Sequence, residues 1–508
     1  MVATNIEVER TYELSGDLAD PFPDLGDLPG ASVQVVPERR HLEATYYDTP
    51  DLRLAARGIT LRYRTGGADA GWHLKTPTAR PDGRTESRMP AEGAVPAPFL
   101  DRIRAYTRGV APVPVATITT ERTARRLIDP SGTALAELVV DDVTARDLGA
   151  AATAPATIAW RELEVELLAG DRKLLKRVDA RLRELGVRRS RVAVKLARVL
   201  GDRLAAVRRE PPPATADDAG AVVRAYLCEQ VDKLLATDPL VREDAPDAVH
   251  RMRVTTRRLR GALRTFAPVV GREQASALGA ELKWLGRVLA PARDLEVLEA
   301  RLRDHVRRTP PELALGPVAA RLTRRFGPER ADARRRLLTE LDSPRYFALL
   351  ESLEALVAAT PRTEPARRPA RRTLRPLVKR EHRRVERRMA WARGAAPDYR
   401  DVAHHSARKA AKRARYAAEA TGRLYGRDAR KYAKRMHAVQ NILGDRQDSV
   451  VTRERLRELA VQADAAHENA FTYGLFHNAE STRATQAEAH LPRTWHRATK
   501  KKRLTWLK

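Results

Sequence analysis

Three segments in the N-terminal part of the chain carry like charges at every second position. The rows are Glu7 with Glu9, Arg62 with Arg64, and Glu162 with Glu164 and Glu166. Alternate residues of a strand share a face, so each row would project from one side of a strand. One such row is typical of a solvent-facing strand, but three together favour a barrel with a polar lumen. Carboxylates in the lumen would bind Mg²⁺ or Mn²⁺, and guanidinium groups would bind an oligophosphate. The pattern therefore predicts hydrolysis of a phosphoanhydride.

A ridge of fixed positive charge is predicted further along the chain, in the helix His250–Phe266. At about 100° per residue its cations fall within an arc of roughly 80°, and its apolar residues lie on the opposite side. The ridge consists of His250, Arg253, Arg257, Arg260 and Arg264. Solvated helical faces usually mix such cations with acids four residues away, and this ridge has none. Because arginine keeps its proton and matches phosphate oxygens two at a time, the ridge predicts a polyanion-binding surface, to which Lys283 and Arg287 on the next helix would add.

The basic ridge occurs twice, which indicates an internal repeat. From His405 the chain reads HSARKAAKRAR, and the offsets 0, +3, +7, +8 and +10 again carry histidine or basic residues. These positions are His405, Arg408, Lys412, Arg413 and Arg415. Asp294 in LAPARDLEV lies 44 residues after the first histidine, and Asp448 in LGDRQDSVV lies 43 after the second. Two motifs at one spacing predict two copies of one helical unit, and Lys434 adds a cation on the helix after the second ridge.

The charge of the chain is unevenly distributed. Of the net +29, residues 1–210 contribute +3, from 33 Lys and Arg against 30 Asp and Glu, and the remainder contributes +26, from 62 against 36. A polyanion partner is therefore expected for the C-terminal part only. Nucleic acid stays open as that polyanion, but aromatic residues make up only 5% of the chain, so stacking platforms are scarce.

The single cysteine and the lack of long apolar runs indicate the cellular compartment of the protein. Cys228 excludes a disulfide framework and fits a reducing environment. The N-terminus has no apolar core of signal-peptide length, and no run approaches the roughly 18 apolar residues of a membrane-spanning helix. We expect a soluble, cytoplasmic protein without a membrane partner.

The elements that would position the charged rows form an antiparallel sheet. Short alternating runs separated by turn formers predict this sheet in residues 1–207, with helices near 171–185 and 191–207. Three consecutive prolines in residues 208–219 predict a semi-rigid linker, because proline runs oppose helix continuation.

The elements that would position the ridges are helical. Helical periodicity dominates residues 220–480, in two repeats at about 220–360 and 370–480, with helix breaks expected at glycines and prolines such as Gly444. Residues 481–508 form a basic tail that we expect to be poorly ordered. The predicted fold class is therefore α+β, with a closed or nearly closed antiparallel barrel and flanking helices followed by two repeated antiparallel helical bundles.

The N-terminal segments resemble, in order, the strands of the CYTH domain of the triphosphate tunnel metalloenzymes. The segments are IEVERTYEL, YYDTPDLRLAARGITLRYRTGG, GWHLKTP, AELVVDDV and ELEVELLAG. The resemblance implies an eight-stranded antiparallel tunnel, a divalent metal and a triphosphate substrate. It implies metal-binding roles for Glu7, Glu9, Asp141, Glu164 and Glu166. It implies triphosphate-binding roles for Arg62, Arg64, Lys75, Arg126 and Lys195, and catalytic roles for Glu7, Glu9, Arg62, Arg64 and Lys75.

One position departs from the family pattern. The opening motif of the family is Glu-x-Glu-x-Lys, and Thr11 stands at its third position here. A hydroxyl group cannot replace the missing cation, and Arg10 next to it points to the other face of the strand. Thr11 therefore leaves the metal ligands in place but puts the catalytic efficiency in question.

The two ridges resemble the paired motifs of the CHAD domain, a helical module with a basic cavity. The motifs are AVHRMRVTTRRLRGALRTF and HHSARKAAKRARYAAE. The resemblance spans about residues 220–475. It implies binding of inorganic polyphosphate and association with polyphosphate granules.

Three functions are compatible with these patterns. The leading hypothesis joins a metal-dependent inorganic triphosphatase, acting on triphosphate or a similar short phosphoanhydride, to a polyphosphate-binding domain. The first alternative is a catalytically inactive protein that binds polyphosphate and targets granules, because Thr11 replaces the family's lysine. The second alternative is a nucleic-acid-binding protein, which the charge alone would permit.

Overall fold

The chain folds into two units, each with its own core. The computed structural model describes residues 3–14, 22–25, 28, 30–78, 82–90, 93–149, 157–208, 217–359 and 363–507. The first unit is Met1–Glu210 and the second is Pro211–Lys508. Most of the predicted linker lies outside the described residues. Asp218 is described and caps the first helix of the second unit, where its carboxylate accepts a hydrogen bond from the Ala221 amide at 2.6 Å.

Within the described residues, the first unit is a closed antiparallel barrel of eight strands, as predicted. The strands are β1 (Ala3–Glu13), β2 (Ser32–Asp48), β3 (Thr60–Thr65), β4 (Gly71–Pro77), β5 (Gly83–Met89), β6 (Val113–Ile128), β7 (Ala134–Asp147) and β8 (Thr157–Leu167). They pair in the order β5, β4, β3, β2, β6, β7, β8, β1, and the first half of β1 returns to β5 to close the ring. A two-residue strand, β9 (Arg188–Arg189), pairs with the end of β1.

The alternation of side chains divides each strand between the lumen and the outside. On β8, Glu164 and Glu166 line the lumen, while Leu163 and Val165 point outward into an apolar cluster. The period of two that links these residues is the one expected from the sequence. Fully burying an outward leucine or valine stabilises the barrel by roughly 1.5–3 kcal/mol, which offsets part of the cost of enclosing charges in the lumen.

Three helices in the described residues pack on the barrel. They are α1 (Ala97–Thr107), α2 (Arg172–Glu184) and α3 (Lys195–Val207). The first two cover the outer surface, where Phe99 of α1 meets Trp72 and Leu174 of α2 meets the apolar side of β8. Leu196 of α3 instead packs with Tyr46, which also lines the lumen. The α3 helix therefore closes one end of the barrel.

The second unit is entirely helical in the described residues. Its helices are α4 (Ala219–Arg242), α5 (Ala248–Thr265), α6 (Ala267–Val270), α7 (Arg272–Val288), α8 (Ala290–Arg308), α9 (Val318–Leu341), α10 (Pro344–Ala358), α11 (Glu364–Arg367), α12 (Ala370–Gly394), α13 (Arg400–Ala420), α14 (Gly422–Asp464) and α15 (Phe471–Thr499). The two ridges lie on α5 and α13, as the periodicity predicted. No helix in the described part of the chain is long and apolar enough to cross a membrane.

The two repeats share part of their core. Leu302 of α8 and Phe326 of α9 pack in one buried cluster with Leu456 of α14 and Phe476 of α15. A buried ion pair crosses the same boundary, since Arg301 on α8 binds Glu480 on α15 at 2.6 Å. The repeats are therefore interleaved at this end rather than forming two separate bundles.

The helix break expected at Gly444 is wrong, because α14 continues past this residue. A β-carbon at Gly444 would lie only 3.3 Å from Arg408 Nη2. The glycine therefore allows an arginine of the second ridge to approach the helix, and it does not end the helix.

The tail is basic as expected, but its predicted disorder is wrong. The α15 helix extends through residues 481–499, with Leu491 and Trp495 buried against the unit. Beyond the helix, the ring of Trp506 lies 5.2 Å from that of Tyr425 and 5.6 Å from that of Tyr432. These aromatic contacts hold the basic end of the chain on α14.

Candidate functional site

The barrel encloses a cavity of about 410 Å³ between its inward-facing side chains. Eight of the residues that the sequence singled out line this cavity. They are Glu7, Glu9, Arg62, Arg64, Lys75, Glu164, Glu166 and Lys195. Closure of the sheet turns one face of every strand toward a common axis, so rows of opposite charge on different strands converge there.

Lys75 lies between two acidic residues of β1 and one acidic residue of β5. Its Nζ lies 2.6 Å from Glu7 Oε2, 3.7 Å from Glu86 Oε1 and 3.9 Å from Glu9 Oε2. Burial raises the pKa of Glu7, and the attraction of Lys75 opposes that rise. Burial also acts on Glu86, but a hydrogen bond from His73 and the charge of Lys75 hold the pKa of Glu86 well below its usual range. Lys75 therefore fixes two carboxylates at one side of the lumen.

Glu166 forms no ion pair or hydrogen bond with another described residue. Glu9 lies directly across from it on β1, and Glu7 is two residues further along that strand. Burial raises the pKa of Glu166 to about 7, and repulsion from Glu7 and Glu9 adds to the rise. We call Glu7, Glu9 and Glu166 the open acidic group. Glu7 is paired with Lys75 at 2.6 Å and with Arg88 at 3.1 Å, so the carboxylate without a cation is that of Glu166. The oxygens of the group are the hard ligands that Mg²⁺ and Mn²⁺ prefer.

A second set of carboxylates, the filled acidic group, surrounds Lys195 at the start of α3. Lys195 Nζ lies 2.9 Å from Asp141 Oδ2 and 2.6 Å from both Glu162 Oε1 and Glu164 Oε1. One oxygen of each acid lies within 4.8 Å of the others, a spacing that suits a metal ion. Arg122 also contacts Asp141 at 2.7 Å and Glu164 at 3.1 Å. Each of these three acids contacts a cation, whereas Glu166 of the open acidic group contacts none among the described residues, so the open acidic group fits a metal ion better.

Arg122 occupies the lumenal position that the resemblance assigned to Arg126. Arg126 is on the same side of β6 but nearer the rim, where its Nε lies 3.6 Å from Glu137 and 42% of its side chain is exposed. Arg122 lines the cavity. The two arginines share a strand face, so alternation alone could not choose between them. Their depth in the barrel depends on the stagger of the strands, which is a property of the closed sheet.

Thr11 is buried on β1 directly across from Glu164. Its hydroxyl donates a hydrogen bond to the Ala193 carbonyl at 3.3 Å. Arg10 points out of the lumen, as predicted, and forms an ion pair there at 3.3 Å. The cation that reaches Glu164 comes instead from Lys195 on α3. The threonine therefore packs against the segment that leads into α3, and Glu164 keeps a counter-charge.

Asp69, in the loop between β3 and β4, places a carboxylate against the guanidinium groups of the lumen. It forms an ion pair with Arg64 and lies 3.4 Å from Arg88 Nη1. Burial lowers the pKa of Arg64 to about 10, and repulsion from Arg62 adds to that effect. Buried guanidinium groups that repel one another attract an anion strongly. The carboxylate of Asp69 is such an anion, and the protein itself provides it.

Sequence reasoning missed three charged lumenal residues on β5. Arg84, Glu86 and Arg88 all line the cavity. They alternate along GRTESRM as the other rows do, so a signal was present. The row mixes both signs of charge, so it does not stand out as a row of like charge.

In the second unit, the two ridges meet where α5 contacts α13. Lys412 shows the electrostatic consequence. Burial lowers its pKa to about 6, and repulsion from Arg408, Arg257 and Arg253 adds to the effect. We call these four residues the central basic cluster. Crowded cations of this kind favour a bound anion, because an anion relieves their mutual repulsion.

Other predicted residues surround the central basic cluster. His250 and His405 are half-buried beside it, and burial together with neighbouring cations lowers the pKa of each. Arg253 also bonds Asp294 at 2.6 Å, which explains the aspartate of the first repeat. The remaining side chains are exposed: Arg260, Arg264, Lys283, Arg287 and Lys434.

Arg413 and Arg415 lie at the two edges of the second ridge. Arg413 binds Glu381 of α12 at 2.9 Å. Arg415 is buried and donates to His437 Nδ1 on α14 at 2.7 Å. Offsets of +8 and +10 from His405 place the two arginines about 80° to either side of it, so each faces a different neighbouring helix. Arg415 therefore contributes to helix packing more than to the ridge.

Comparisons with known proteins identify both units. The CYTH domain family matches residues 5–194, and the CHAD domain family matches residues 225–457. The chain belongs to the proteins in which a CYTH domain is followed by a CHAD domain. The CYTH family is associated with metal-dependent chemistry on triphosphates and the CHAD family with polyphosphate.

Two uncharacterized proteins of Mycobacterium tuberculosis, from strains CDC 1551 and H37Rv, are similar over nearly the whole chain. Each is 40% identical over 502 residues, which cover 96% of this chain and 95% of the relative. Among solved structures, the CHAD domain from the plant Ricinus communis is 29% identical with a TM-score of 0.44, covering 57% of this chain and 96% of that one. PptA from Streptomyces chartreusis is 21% identical with a TM-score of 0.46, covering 55% of this chain and 99% of that one.

Proposed function

We propose that the barrel is a divalent-metal-dependent inorganic triphosphatase and that the helical unit binds inorganic polyphosphate. The observation that carries the first part is the open acidic group, which shares one cavity with Arg62, Arg64 and Arg122. Glu166 has no counter-charge among the described residues, while Glu7 and Glu9 share Lys75. Together with the guanidinium groups, these carboxylates provide both halves of a site for a metal-bound oligophosphate.

In the proposed reaction, water attacks the terminal phosphorus of triphosphate. A P–O bond forms to the water oxygen, the bridging P–O bond breaks, and the products are phosphate and pyrophosphate. Glu7, Glu9 and Glu166 would hold Mg²⁺ or Mn²⁺, which would share the phosphate charge and increase the electrophilicity of phosphorus. Arg62 and Arg122 would hold the phosphate oxygens in line for the attack.

The experiment for the first part measures phosphate release. Purified full-length chain with triphosphate and Mg²⁺ or Mn²⁺ is compared with the Glu7→Ala variant, and we expect a loss of about 100-fold or more in that variant. The control is Glu184→Ala, which removes an exposed acid on α2 and should keep full activity. Equal rates in the unsubstituted chain and in Glu7→Ala would contradict the proposal.

A second candidate is a barrel that binds without turnover, and the surroundings of Thr11 favour it. No cation projects from that position of β1, and the threonine hydroxyl is engaged by the Ala193 carbonyl. The Thr11→Lys variant separates the two candidates. A large gain of turnover over the unsubstituted chain would support an inactive scaffold, and similar rates would support an active enzyme.

Polyphosphate binding by the helical unit is supported by the central basic cluster, where Lys412 has a pKa of about 6. Competition separates polyphosphate from nucleic acid as the polyanion. We expect long-chain polyphosphate to displace labelled DNA at matched phosphate concentration, because the ridges offer cations and few stacking surfaces. Retention of the DNA would favour a nucleic-acid-binding protein.

We infer a cytoplasmic location with association with polyphosphate granules from the same binding activity. Fluorescence microscopy of the tagged full-length chain tests it, and the tag should be placed at the N-terminus because the C-terminal aromatic Trp506 is packed on α14. Diffuse fluorescence in cells that contain granules would contradict the association.

A further inference from the structure

The α12 helix carries a basic groove that neither ridge includes. An open surface pocket of about 580 Å³ lies along the helix, and the residues that line it all belong to α12. Its lining, which we call the α12 groove, consists of Pro376, Lys379, Arg380, Arg383, Glu386 and Arg387. These residues recur at intervals of three or four, so they lie on one face of the helix.

Three cations of the α12 groove have no acidic partner, although Glu386 also lines the groove. Lys379, Arg383 and Arg387 form no ion pair or hydrogen bond with any residue that the structure describes. Exposed cations on α8 and α9 do have partners, at three or four residues along the helix: Arg307 and Arg308 with Asp304, and Arg335 and Arg336 with Asp332. Like charges four residues apart destabilise a helix. An anion bound in the groove would remove this repulsion.

Contacts of arginine side chains connect α12, which carries the groove, to α5 and α13, which carry the ridges. Arg380 Nη2 donates to a carbonyl in the last turn of α5 at 3.3 Å. The buried carboxylate of Glu381 accepts from Arg413 on α13 at 2.9 Å and lies 3.9 Å from Arg384. Burial lowers the pKa of Arg413 to about 10, and repulsion from Arg264 and Arg384 adds to the effect. Positive charge therefore continues from α5 and α13 onto α12.

We propose that the α12 groove is a second phosphate site that takes the same polyphosphate chain as the ridges, an inference that rests on the polyphosphate binding proposed above. The first ridge extends about 21 Å along its helix, and the groove extends about 17 Å from Pro376 to Arg387. A long chain reaches both, whereas a short one fills only the central basic cluster. The second contact is then intramolecular, and affinity increases with chain length.

The test compares short-chain and long-chain polyphosphate in binding to the full-length protein. All variants carry Arg62→Ala so that the barrel contributes little. The groove variant combines Lys379→Ala, Arg383→Ala and Arg387→Ala. The control combines Arg307→Ala, Arg308→Ala and Arg336→Ala, which also removes three exposed positive charges from the same unit.

We expect the groove variant to bind long chains about tenfold or more weakly and short chains within about twofold of the parent protein. Its plot of log affinity against log salt for long chains should be shallower by about 2. The control should leave both affinities within about twofold. Equal losses in the groove variant and the control, or equal losses for both chain lengths, would overturn the inference.

Two further outcomes separate a failure of the proposed polyphosphate binding from a failure of the α12 groove as a phosphate site. If the parent protein binds neither polyphosphate, the proposed function itself fails. If the groove variant keeps its polyphosphate affinity but loses binding to single-stranded DNA, the groove is a nucleic-acid site and this inference is wrong. Circular dichroism of the groove variant checks that α12 is still helical.

Discussion

Arg64 and Asp69 illustrate how much one carboxylate can change an anion site. Arg64 is almost fully buried, and its guanidinium is destabilised by burial and by Arg62. Asp69 compensates that charge from a loop whose other residues, Gly67 and Ala68, also line the cavity. A phosphate that reaches Arg64 must therefore displace Asp69 or share the guanidinium with it.

Replacing Asp69 by asparagine should tighten the binding of triphosphate by about tenfold, equivalent to about 1.4 kcal/mol, because the competing charge is removed. Isothermal titration calorimetry without metal measures this affinity apart from turnover. The Asp101→Asn variant is the control, since it removes an exposed charge on α1 that pairs with Arg104 at 3.5 Å. Weaker binding in Asp69→Asn would mean that Asp69 holds Arg64 in place and does not compete with substrate.

Lys412 should make the proposed polyphosphate binding sensitive to pH. Its pKa in the folded chain is about 6, so near neutral pH the amine is mostly neutral. A bound polyanion favours the ammonium form, and binding should take up close to one proton. Affinity should therefore fall as pH rises above about 6. Calorimetry in two buffers of different ionisation enthalpy measures the uptake, and Lys412→Met should abolish it.

The same shift affects the stability of the chain without polyphosphate. The unfolded lysine titrates near 10.4, well above the folded value. Between about pH 6 and pH 10 the unfolded state binds more protons, so this group makes stability rise with pH across that window. Its full destabilising effect is present below about pH 6. A bound polyanion, which raises the pKa of Lys412, should flatten this dependence.

The α3 helix has both a structural and an electrostatic role. Its leucines close the barrel, and Lys195 at its start compensates the filled acidic group. Side chains of the three acids and the lysine are between 0% and 17% exposed, so water screens the contacts weakly. Placement of α3 therefore depends on acids from two strands.

The Lys195→Met variant should lose about 3–5 kcal/mol of stability, because three buried carboxylates lose their shared cation. Divalent cations should restore part of that loss, since Asp141, Glu162 and Glu164 then offer a vacant set of oxygen ligands. Thermal unfolding with and without Mn²⁺ measures both effects. The unsubstituted chain should gain less from Mn²⁺ at this position, and equal gains would contradict the role given to Lys195.

The sequence was sufficient to predict which faces of the strands turn inward and which faces of the helices carry the ridges. Alternating charges identified the inward residues Glu7, Glu9, Arg62 and Arg64, because the period of a strand is fixed by its backbone. The helical period did the same for the ridges. Both predictions depend only on the period of the side chains along a strand or a helix, which the backbone geometry sets.

The sequence was insufficient wherever a contact depends on the register of distant segments. Arg122 and Arg126 share a face, and only the stagger of the closed barrel distinguishes their depth. Lys195 reaches Glu164 because α3 enters the barrel, which no local pattern reveals. The sequence predicts a helix end at Gly444, but this glycine makes space for Arg408 from another helix. Each of these differences comes from tertiary packing that overrides a local preference.

The stability of the helical unit depends on buried charged residues that connect α8 to α15. Glu480 is fully buried and accepts hydrogen bonds from Arg301 at 2.7 Å and 2.6 Å. His305 Nε2 lies 2.6 Å from the same carboxylate. Burial opposes ionisation of Glu480, but His305 and Arg301 hold its pKa well below the usual range.

The Glu480→Ala variant should therefore destabilise the helical unit by about 3–5 kcal/mol, because Arg301 is left buried without its partner. Activity of the barrel on triphosphate should be retained at moderate temperature, since the two units have separate cores. Differential scanning calorimetry measures the first effect and phosphate release the second. Glu458→Ala, which removes an exposed acid of α14, should change neither quantity.

Because α8, α9, α14 and α15 bury their apolar side chains in one cluster, neither repeat is self-sufficient. A polypeptide severed between α10 and α12 would yield two fragments that each lack partners for Leu302 or Leu456. Each fragment should be insoluble alone and should recover helicity when mixed with the other. The duplicated halves would then behave as a complementing split pair, in which reassembly of the fragments brings the two ridges back together.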